Sequence, residues 1–337
     1  MHHAEDERHE IVEAVVVAQD IVLPVQHVLR DGGLVALPTE TVYGLAANAL
    51  DARACRAIFR AKGRPTQDPL IVHVLDLAHA EELATFHPLA RRLARRFWPG
   101  PLTLVLPKKI CIPDIVTADR ATVAIRSPAH PLTRQLLRRA GIPLAAPSAN
   151  PFGYISPTTA AHVRDSLGKK ISYILNGGAC SVGVESTILD LTNPAALKIL
   201  RPGAITAADI RKFLGAKISL QTAKLRRPPQ STGQLAPGLL PQHYSPHTPL
   251  LIKSAWSLLP PNVAGIYLRR PQKIAGPNCL WLSQRGDGQA VAKNLYQVLR
   301  QADQGGYRQI WIEALPADAD GLAAAINDRL QRAATKR

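Results

Sequence analysis

Residues 34–73 constrain the fold of this 337-residue chain more than any other stretch. An apolar run at 34–37, with glycines before it and a proline after it, is long enough for a buried strand. The hydroxyl-rich segment 39–44 follows and ends at Gly44, which gives the backbone unusual conformational freedom. A second apolar run at 70–74 predicts the next strand. Because open α/β sheets bind ligands at strand ends, we expect a ligand site beside segment 39–44.

A helix between these strands is predicted to bring two cations to that site. Asp51 has the residue type and position of an N-cap, and apolar residues spaced three and four apart give the helix a buried face. Gly63 should end the helix, so Lys62 and Arg64 flank its C-terminus beside a loop. Together with the hydroxyl-rich segment they predict an anion-binding pocket. The alternative is an ordinary basic helix end in water, which the helix dipole also favours.

The charge balance indicates polyanionic partners. Lys and Arg total 41 against 25 Asp and Glu, which gives a formal net charge of +16. Nucleotides and RNA both fit such a basic chain. Aromatic residues make up only 5% of the sequence, so a stacking platform for single-stranded nucleic acid is not favoured. Net charge by itself therefore does not separate an enzyme that uses ATP from an RNA-binding protein.

Targeting and cysteine patterns favour a protein of the reducing cytoplasm. No apolar run of about 18 residues occurs, so no membrane span is expected. The charged N-terminal segment lacks the apolar core of a secretion signal. The cysteines lie far apart without C-x-x-C spacing, so we expect neither a zinc cluster nor a disulfide framework. They are Cys55, Cys111, Cys180 and Cys279.

The hydrophobic pattern predicts two α/β domains joined by a proline-rich linker. Residues 1–20 are interpreted as an N-terminal extension, and residues 21–215 as a large domain. Strands outnumber helices in the large domain and several connections are too short for crossover helices, which predicts a twisted mixed sheet with flanking helices. Residues 216–249 form the linker. Strands and helices alternate in residues 250–337, which predicts a smaller Rossmann-like domain with a parallel sheet.

Other polar residues also follow predicted strands in the large domain. Arg126 ends one strand. Ser148 and Asn150 follow another with one small residue between them, so both side chains can face the same ligand. An ordinary Ser/Asn turn is the alternative interpretation. Ser156 is predicted to cap the next helix.

Five motifs in a fixed order give these observations a common interpretation. The motifs are Pro38-Thr39-Glu40-Thr41-Val42-Tyr43-Gly44-Leu45, Lys62-Gly63-Arg64-Pro65, Ser148-Ala149-Asn150, Glu185-Ser186-Thr187-Ile188 and Arg201-Pro202-Gly203. In this order they resemble the threonylcarbamoyl-AMP synthases, in the two-domain form of the YrdC-like superfamily. The resemblance is strong over residues 21–215, and His243-Tyr244-Ser245-Pro246 is similar to the linker signature of two-domain members. Over residues 250–337 the resemblance rests on the order of strands and helices, and the motifs are weaker.

The resemblance implies a YrdC-like fold for the large domain and a defined reaction. The family condenses L-threonine, bicarbonate and ATP to L-threonylcarbamoyladenylate and pyrophosphate. Mg²⁺ is expected to enter with ATP, because no dedicated carboxylate cage is evident. The product feeds the N6-threonylcarbamoyl modification of adenosine 37 in tRNA. The tRNA threonylcarbamoyl-transferase machinery is therefore the expected downstream partner.

The family pattern also assigns roles to residues of this chain. Lys62 and Arg64 are expected to be catalytic, since the reaction needs positive charge beside the developing pyrophosphate and no covalent enzyme nucleophile. The expected ATP-binding residues are Lys62, Arg64, Asp68, Ser148, Asn150, Ser156, Arg201 and Tyr244. The expected threonine-binding residues are Thr41, His73, Arg126 and Ser186. Arg126 is the natural partner of the substrate carboxylate.

Two positions depart from the family pattern. Asp68 stands where many relatives carry Asn, and a carboxylate beside a triphosphate is unfavourable unless it meets Mg²⁺ or the ribose. Between Gly238 and His243 the linker is less basic than usual, so weaker linker contacts to the phosphates are expected.

The length and proline content of the linker predict a lid over the ATP site. It is too long for a minimal connector and too rich in proline for a free coil, and its polar and aromatic cluster includes Tyr244. Tyr244 is predicted to lie near the nucleotide phosphates, where a lid would exclude water from a labile mixed anhydride. An exposed spacer is the alternative.

Two other functions share the YrdC-like fold. A structured-RNA-binding module would account for the basic charge and for an arginine-rich helix face, which is otherwise an ordinary solvated surface. The arginines of that face are Arg91, Arg92, Arg95 and Arg96. A carbamoyl-transfer enzyme of hydrogenase maturation would carry acylphosphatase and zinc-finger segments, and the sequence contains neither.

Overall fold

A computed structural model describes several segments of the chain. They are residues 12–15, 19–215, 219–223, 234–238, 243–256, 258–272, 276–316 and 321–335.

An 11-stranded mixed sheet runs through the large domain over the described residues. Its strands are β1 (Val12–Val15), β2 (Val35–Leu37), β3 (Gly44–Asn48), β4 (Ile71–His73), β5 (Leu102–Pro107), β6 (Thr122–Arg126), β7 (Leu144–Ala145), β8 (Tyr173–Asn176), β9 (Thr187–Asp190), β10 (Ala196–Arg201) and β11 (Ser219–Thr222). Their spatial order is β1-β8-β2-β3-β7-β4-β6-β5-β9-β10-β11. Parallel pairs such as β4–β6 lie beside antiparallel pairs such as β5–β6. The expectation of a mixed sheet is confirmed.

Helices pack on both faces of this sheet. They are α1 (Gln19–Arg30), α2 (Ala52–Lys62), α3 (Leu77–Glu81), α4 (Pro88–Phe97), α5 (Asp114–Thr117), α6 (Pro131–Ala140), α7 (Ala160–Leu167) and α8 (Ala207–Leu214). Successive residues of β2 point to opposite faces. Ala36 belongs to a core shared with α2, α4, α7 and α8, whereas Val35 and Leu37 pack with α1 and α6. The sheet therefore has a hydrophobic core on each side.

Helix α2 has the caps that the sequence predicts. The Asp51 side chain accepts a 2.7 Å hydrogen bond from the backbone N–H of Arg53. Gly63 ends the helix in the left-handed conformation at φ 63°, and the backbone N–H of Arg64 then bonds to the carbonyl of Phe59. These caps fix the point at which Lys62 and Arg64 leave the helix.

The C-terminal domain contains a second, fully parallel sheet. Its elements are β12 (Leu250–Lys253), β13 (Val263–Arg269), β14 (Cys279–Ser283), α9 (Gly288–Gln304), β15 (Gln309–Glu313) and α10 (Ala323–Ala334). The strand order is β12-β15-β13-β14, as the alternation of strands and helices predicts. Its core also includes Val42, Ile155 and Val184 of the large domain. The two domains are therefore packed together beside the hydroxyl-rich turn.

Two edge strands come from segments outside the predicted large domain. Strand β1 lies in the range interpreted as an N-terminal extension and pairs in parallel with β8. Strand β11 lies in the range interpreted as linker and pairs in parallel with β10. The domain boundaries 1–20, 21–215, 216–249 and 250–337 stay a prediction. No helix in the described parts of the chain is both long and apolar enough to cross a membrane.

The cap of α2 can be tested by substitution. Asp51→Ala should lower the free energy of unfolding by about 1 kcal/mol, because one N-terminal N–H of the helix loses its acceptor. Asp51 also lies 3.8 Å from the exposed guanidinium of Arg53, so Arg53→Ala removes that ion pair and keeps the cap. Arg53→Ala should change stability by less than about 0.5 kcal/mol. Equal destabilisation of the two variants in denaturant titrations would contradict the capping role.

Candidate active site

One cavity brings together most of the residues that the sequence singles out. Its volume, counted with the space that opens to solvent, is about 500 Å³. Predicted residues that line it are Thr41, Arg64, His73, Arg126, Ser148, Ser186, Arg201 and Tyr244. The other predicted residues, Lys62, Asp68, Asn150 and Ser156, contact the residues that form its wall or the adjoining loops.

Lys62 ties the end of α2 to the Ser148–Asn150 loop. Its side chain is 3% exposed. Nζ donates hydrogen bonds to the carbonyl oxygen of Ser148, at 2.5 Å, and to that of Asn150. Burial and the neighbouring charge of Arg64 hold the pKa of Lys62 well below its ordinary value. The loop and the helix end therefore form one unit behind the cavity.

Arg64 reaches the cavity and is oriented by Asp68. Its Nη2 atom lies 2.9 Å from Oδ2 of Asp68, and its Nε and Nη2 also donate to the carbonyls of Asp68 and Pro69. Burial raises the pKa of Asp68, although the charges of Arg64, Lys62 and Arg201 oppose that effect. In this structure the carboxylate that replaces the Asn of many relatives pairs with Arg64. Its contact with ATP stays a prediction.

Arg126 is held on the other side of the cavity by Glu40, a residue to which sequence reasoning gave no role. Nη2 of Arg126 donates to Oε1 of Glu40 at 2.6 Å, Nη1 donates to Oγ1 of Thr41 at 3.0 Å, and Nε donates to the Gly100 carbonyl. Although burial alone would raise the pKa of Glu40, Arg126 brings it below its ordinary value. A guanidinium carries five N–H donors, so these contacts leave two for a ligand. The position of Glu40 between Thr39 and Thr41 was the available signal.

His73 is neutral in this environment. It is buried, and burial together with the charge of Arg126 lowers its pKa to about 3. Its Nδ1 lies 3.3 Å from the carbonyl of Ile71. The imidazole therefore lines the cavity without adding charge to it.

Arg201 joins the Glu185–Thr187 segment to the linker. Its Nη2 donates to the carbonyl oxygen and to Oγ of Ser186, at 3.0 and 3.2 Å, and its Nη1 lies 3.4 Å from the carbonyl of Pro237. The Ser186 hydroxyl also bonds to Thr103 Oγ1 at 2.8 Å. A Cβ on Gly203 would lie only 2.4 Å from the backbone nitrogen of Thr187. Only glycine lets the Arg201-Pro202-Gly203 turn come this close.

Two of the predicted polar residues support loops around the cavity. Ser156 was predicted to cap the next helix, and that prediction is wrong. Thr159 caps α7 by accepting from the His162 N–H, while the Ser156 hydroxyl donates to Oε1 of Glu185 at 2.7 Å. The helix begins at Ala160, so Ser156 lies too far before it to act as its cap. The Asn150 side chain donates to the carbonyls of Pro151 and Tyr154, which holds the loop after Ser148.

The described parts of the linker lie against the cavity. Pro237, Gly238, His243 and Tyr244 line it together with Arg64 and Arg201. Tyr244 is 1% exposed and has a positive φ of 62°. A Cβ on Gly238 would lie 2.8 Å from the Tyr244 hydroxyl oxygen, so this approach also depends on glycine. Burial raises the pKa of Tyr244 and lowers that of His243. Most of the stretch between Arg227 and His243 lies outside the described residues.

The described residues contain no candidate cluster of side chains for binding a metal ion. No group of three or more His, Cys, Asp or Glu side chains there could hold an ion.

Two family models match the chain from the first helix to the last. A model of the Sua5, YciO and YrdC proteins, described as "Telomere recombination", matches residues 27–203. A model described as "Threonylcarbamoyl-AMP synthase, C-terminal domain" matches residues 205–335.

Curated relatives and solved structures match at nearly full length. The chain is 38% identical over 317 residues to the threonylcarbamoyl-AMP synthase of Pyrococcus abyssi, covering 90% of this chain and 91% of that protein. It is 39% identical over 330 residues to that of Bacillus subtilis, covering 91% and 90%. The crystal structure of P. abyssi Sua5 complexed with L-threonine superposes with a TM-score of 0.83 at 34% identity, covering 96% of this chain and 97% of that chain.

The mixed sheet, the parallel second sheet and the cavity between the large domain and the linker define a two-domain α/β protein of the YrdC-like class. The chain belongs to the threonylcarbamoyl-AMP synthase family. The resemblance carried by the five motifs is thereby confirmed.

Proposed function

We propose that this protein condenses L-threonine, bicarbonate and ATP to L-threonylcarbamoyladenylate and pyrophosphate, with Mg²⁺ entering on the ATP phosphates. One observation carries the proposal. Three buried guanidiniums face one cavity among hydroxyl groups, and the catalytic lysine of the family pattern lies directly behind its wall. The full-length likeness to proteins named threonylcarbamoyl-AMP synthase supports it.

The chemistry needs charge and position from the protein. The threonine amine attacks bicarbonate and, with loss of water, forms a carbamate. A carbamate oxygen then attacks the α-phosphate, and the bond to the β-phosphate breaks to release pyrophosphate. Negative charge grows on the leaving group. Cations already fixed in a water-poor cavity stabilise that charge without reorganising.

The proposed threonine subsite lies around Arg126. The two N–H donors left after its contacts with Glu40, Thr41 and Gly100 can bind the substrate carboxylate. The hydroxyls of Thr41 and Ser186 and the neutral His73 supply uncharged hydrogen-bonding groups. The P. abyssi relative solved with L-threonine supports a threonine site in this fold.

The proposed ATP subsite lies between α2 and the linker. Arg64 and Arg201 contact the phosphates with Ser148 and Tyr244, and Lys62 adds its charge from behind the Ser148–Asn150 loop. Asp68, Asn150 and Ser156 contribute by holding Arg64, the loop and Glu185 respectively. The linker acts as a lid that keeps water from the mixed anhydride.

The tRNA threonylcarbamoyl-transferase machinery is the proposed consumer of the product. The reaction is proposed to occur in the cytoplasm, where thiols such as Cys55 and Cys180 stay reduced. Weak binding of structured RNA is a second candidate activity, supported by the exposed side chains of Arg92, Arg95 and Arg96 on α4. Threonine-dependent ATP–pyrophosphate exchange without RNA tests the enzyme, whereas salt-sensitive RNA affinity without turnover would favour the RNA-binding module.

The catalytic cations can be tested without leaving a buried charge unpaired. In an Asp68→Asn background, Arg64→Met should lower kcat at least about a hundredfold relative to Asp68→Asn alone, because one contact to the developing charge is lost. Lys62→Met should cause a loss of similar size relative to wild type. Pyrophosphate release measures the rate, and circular dichroism checks folding. Near-normal turnover by either folded variant would contradict the assignment.

Substitution of Arg126 should affect the binding of threonine more than that of ATP. Arg126→Lys keeps a cation beside Glu40 but loses the two-pronged grip on a carboxylate. We expect the KM for threonine to rise about tenfold or more, since a hydrogen bond to a charged group contributes about 1.5–3 kcal/mol. The KM for ATP should change far less. Equal effects on both constants, or an effect on ATP alone, would place Arg126 elsewhere in the site.

The lid should respond to ligands and to Tyr244. With ATP and threonine bound, cleavage by thermolysin between Arg227 and His243, before Leu235, Leu239 or Leu240, should slow, because the linker closes on an occupied site. Tyr244→Ala should restore cutting and lower the adenylate yield. Tyr307→Ala, which changes a tyrosine bonded to Pro277 of the C-terminal domain, is the matched control. If ligands do not slow cleavage and Tyr244→Ala is fully active, the lid hypothesis is wrong and the linker is an exposed spacer.

A further inference from the structure

Glu185 connects the candidate active site to the C-terminal domain. It lines the cavity directly before Ser186 and is 6% exposed. From the C-terminal domain its carboxylate accepts hydrogen bonds from the hydroxyl of Tyr296, at 2.9 and 3.1 Å, and from Nε of Arg329, at 2.7 Å. Within the large domain, the hydroxyl of Ser156 donates a further hydrogen bond to this carboxylate. Helices α9 and α10 therefore reach the cavity wall through one carboxylate.

The same two residues of the C-terminal domain also contact Tyr244 of the linker. The ring of Tyr296 stacks on that of Tyr244, with centroids 5.8 Å apart and planes inclined by 26°. The Arg329 guanidinium lies 5.2 Å from the centre of the Tyr244 ring. The positive φ of Tyr244 costs of order 1–3 kcal/mol, so surrounding contacts must hold it in this conformation.

The electrostatics of the cluster keep Glu185 ionised. Burial alone would raise the pKa of Glu185, but Arg329 and Arg201 bring it below its ordinary value. The charged and titratable groups that face it are Arg201 on β10, Tyr244 on the linker, Tyr296 on α9, and Arg329 with its partner Asp328 on α10. Removing one partner of such a buried pair leaves a charge without compensation.

We propose that Arg329 and Tyr296 are positioning residues for adenylate formation, acting from the C-terminal domain through Glu185 and Tyr244. The inference rests on the proposed function. Glu185 precedes Ser186, whose carbonyl and hydroxyl both accept from Arg201, so a displacement of Glu185 moves both groups. Tyr244 lines the same cavity on the side of the linker. The C-terminal domain thus supports the active site from behind, since none of its described residues lines the cavity.

The test compares three variants of the cluster with a matched control in full-length protein. Tyr296→Phe keeps the ring stack and removes only the hydroxyl. Arg329→Met removes the charge and Arg329→Lys restores it. Arg300→Met is the control, because Arg300 is an equally buried arginine of the same interface that donates instead to Ile155 and Ser166. Thermal unfolding and the kcat and KM of pyrophosphate release are measured for each.

We expect a loss of kcat that does not follow stability. Tyr296→Phe and Arg329→Met should lower kcat about tenfold to a hundredfold, as small misplacements of catalytic groups do, while Arg300→Met keeps its kcat at a similar or larger loss of Tm. In Arg329→Met the carboxylate of Glu185 loses the nearby positive charge of Arg329. We expect the desolvation of Glu185 to outweigh its remaining contacts and to raise its pKa. The activity of this variant relative to wild type should therefore fall further as the pH is lowered, because Glu185 then becomes protonated, and Arg329→Lys should reverse most of that fall.

Normal kcat in both Tyr296→Phe and Arg329→Met, or losses that Arg300→Met matches, would overturn the proposal. If Arg329→Met fails to fold, Tyr296→Phe decides, since it removes a single hydroxyl. A wild-type protein that releases no pyrophosphate with threonine and bicarbonate refutes the proposed function instead. The two failures are therefore distinguishable.

Discussion

The burial of four cations around one cavity sets the conditions that the rest of the structure must meet. They are Lys62, Arg64, Arg126 and Arg201, each no more than 6% exposed. Moving such charges out of water is strongly unfavourable unless acceptors replace the solvent. Backbone carbonyls and the carboxylates of Glu40 and Asp68 supply those acceptors. A cavity built in this way is prepared for a polyanion and for the charge that develops when pyrophosphate leaves.

The same constraint explains why linker and C-terminal domain are folded onto the large domain. The Pro237 carbonyl accepts from Arg201, and Tyr244 lines the cavity together with Arg64 and Arg201. Glu185 is compensated by Arg329 of the other domain. The linker and the C-terminal domain therefore both contribute contacts around the site that the large domain forms.

The sequence predicts the local parts of this arrangement and misses those that depend on distant partners. The caps of α2 follow from Asp51 and Gly63, because capping is decided within a few residues. The bond from Arg126 to Glu40 spans 86 positions and that from Arg329 to Glu185 spans 144. No periodicity or turn signal encodes such pairs. The bond from Ser156 to Glu185, 29 positions later, is equally absent from any local pattern, whereas the cap of α7 was misplaced because the helix begins only at Ala160.

The central claim is that these buried cations serve the joining of threonine, bicarbonate and ATP. The most direct measurement is incubation of the purified protein with ATP, Mg²⁺, threonine and ¹³C-labelled bicarbonate, followed by mass spectrometry of the nucleotide products. We expect threonylcarbamoyl-AMP that carries the label and whose formation depends on both threonine and bicarbonate. AMP or ADP formed without any labelled adenylate, at any threonine concentration, would contradict the claim.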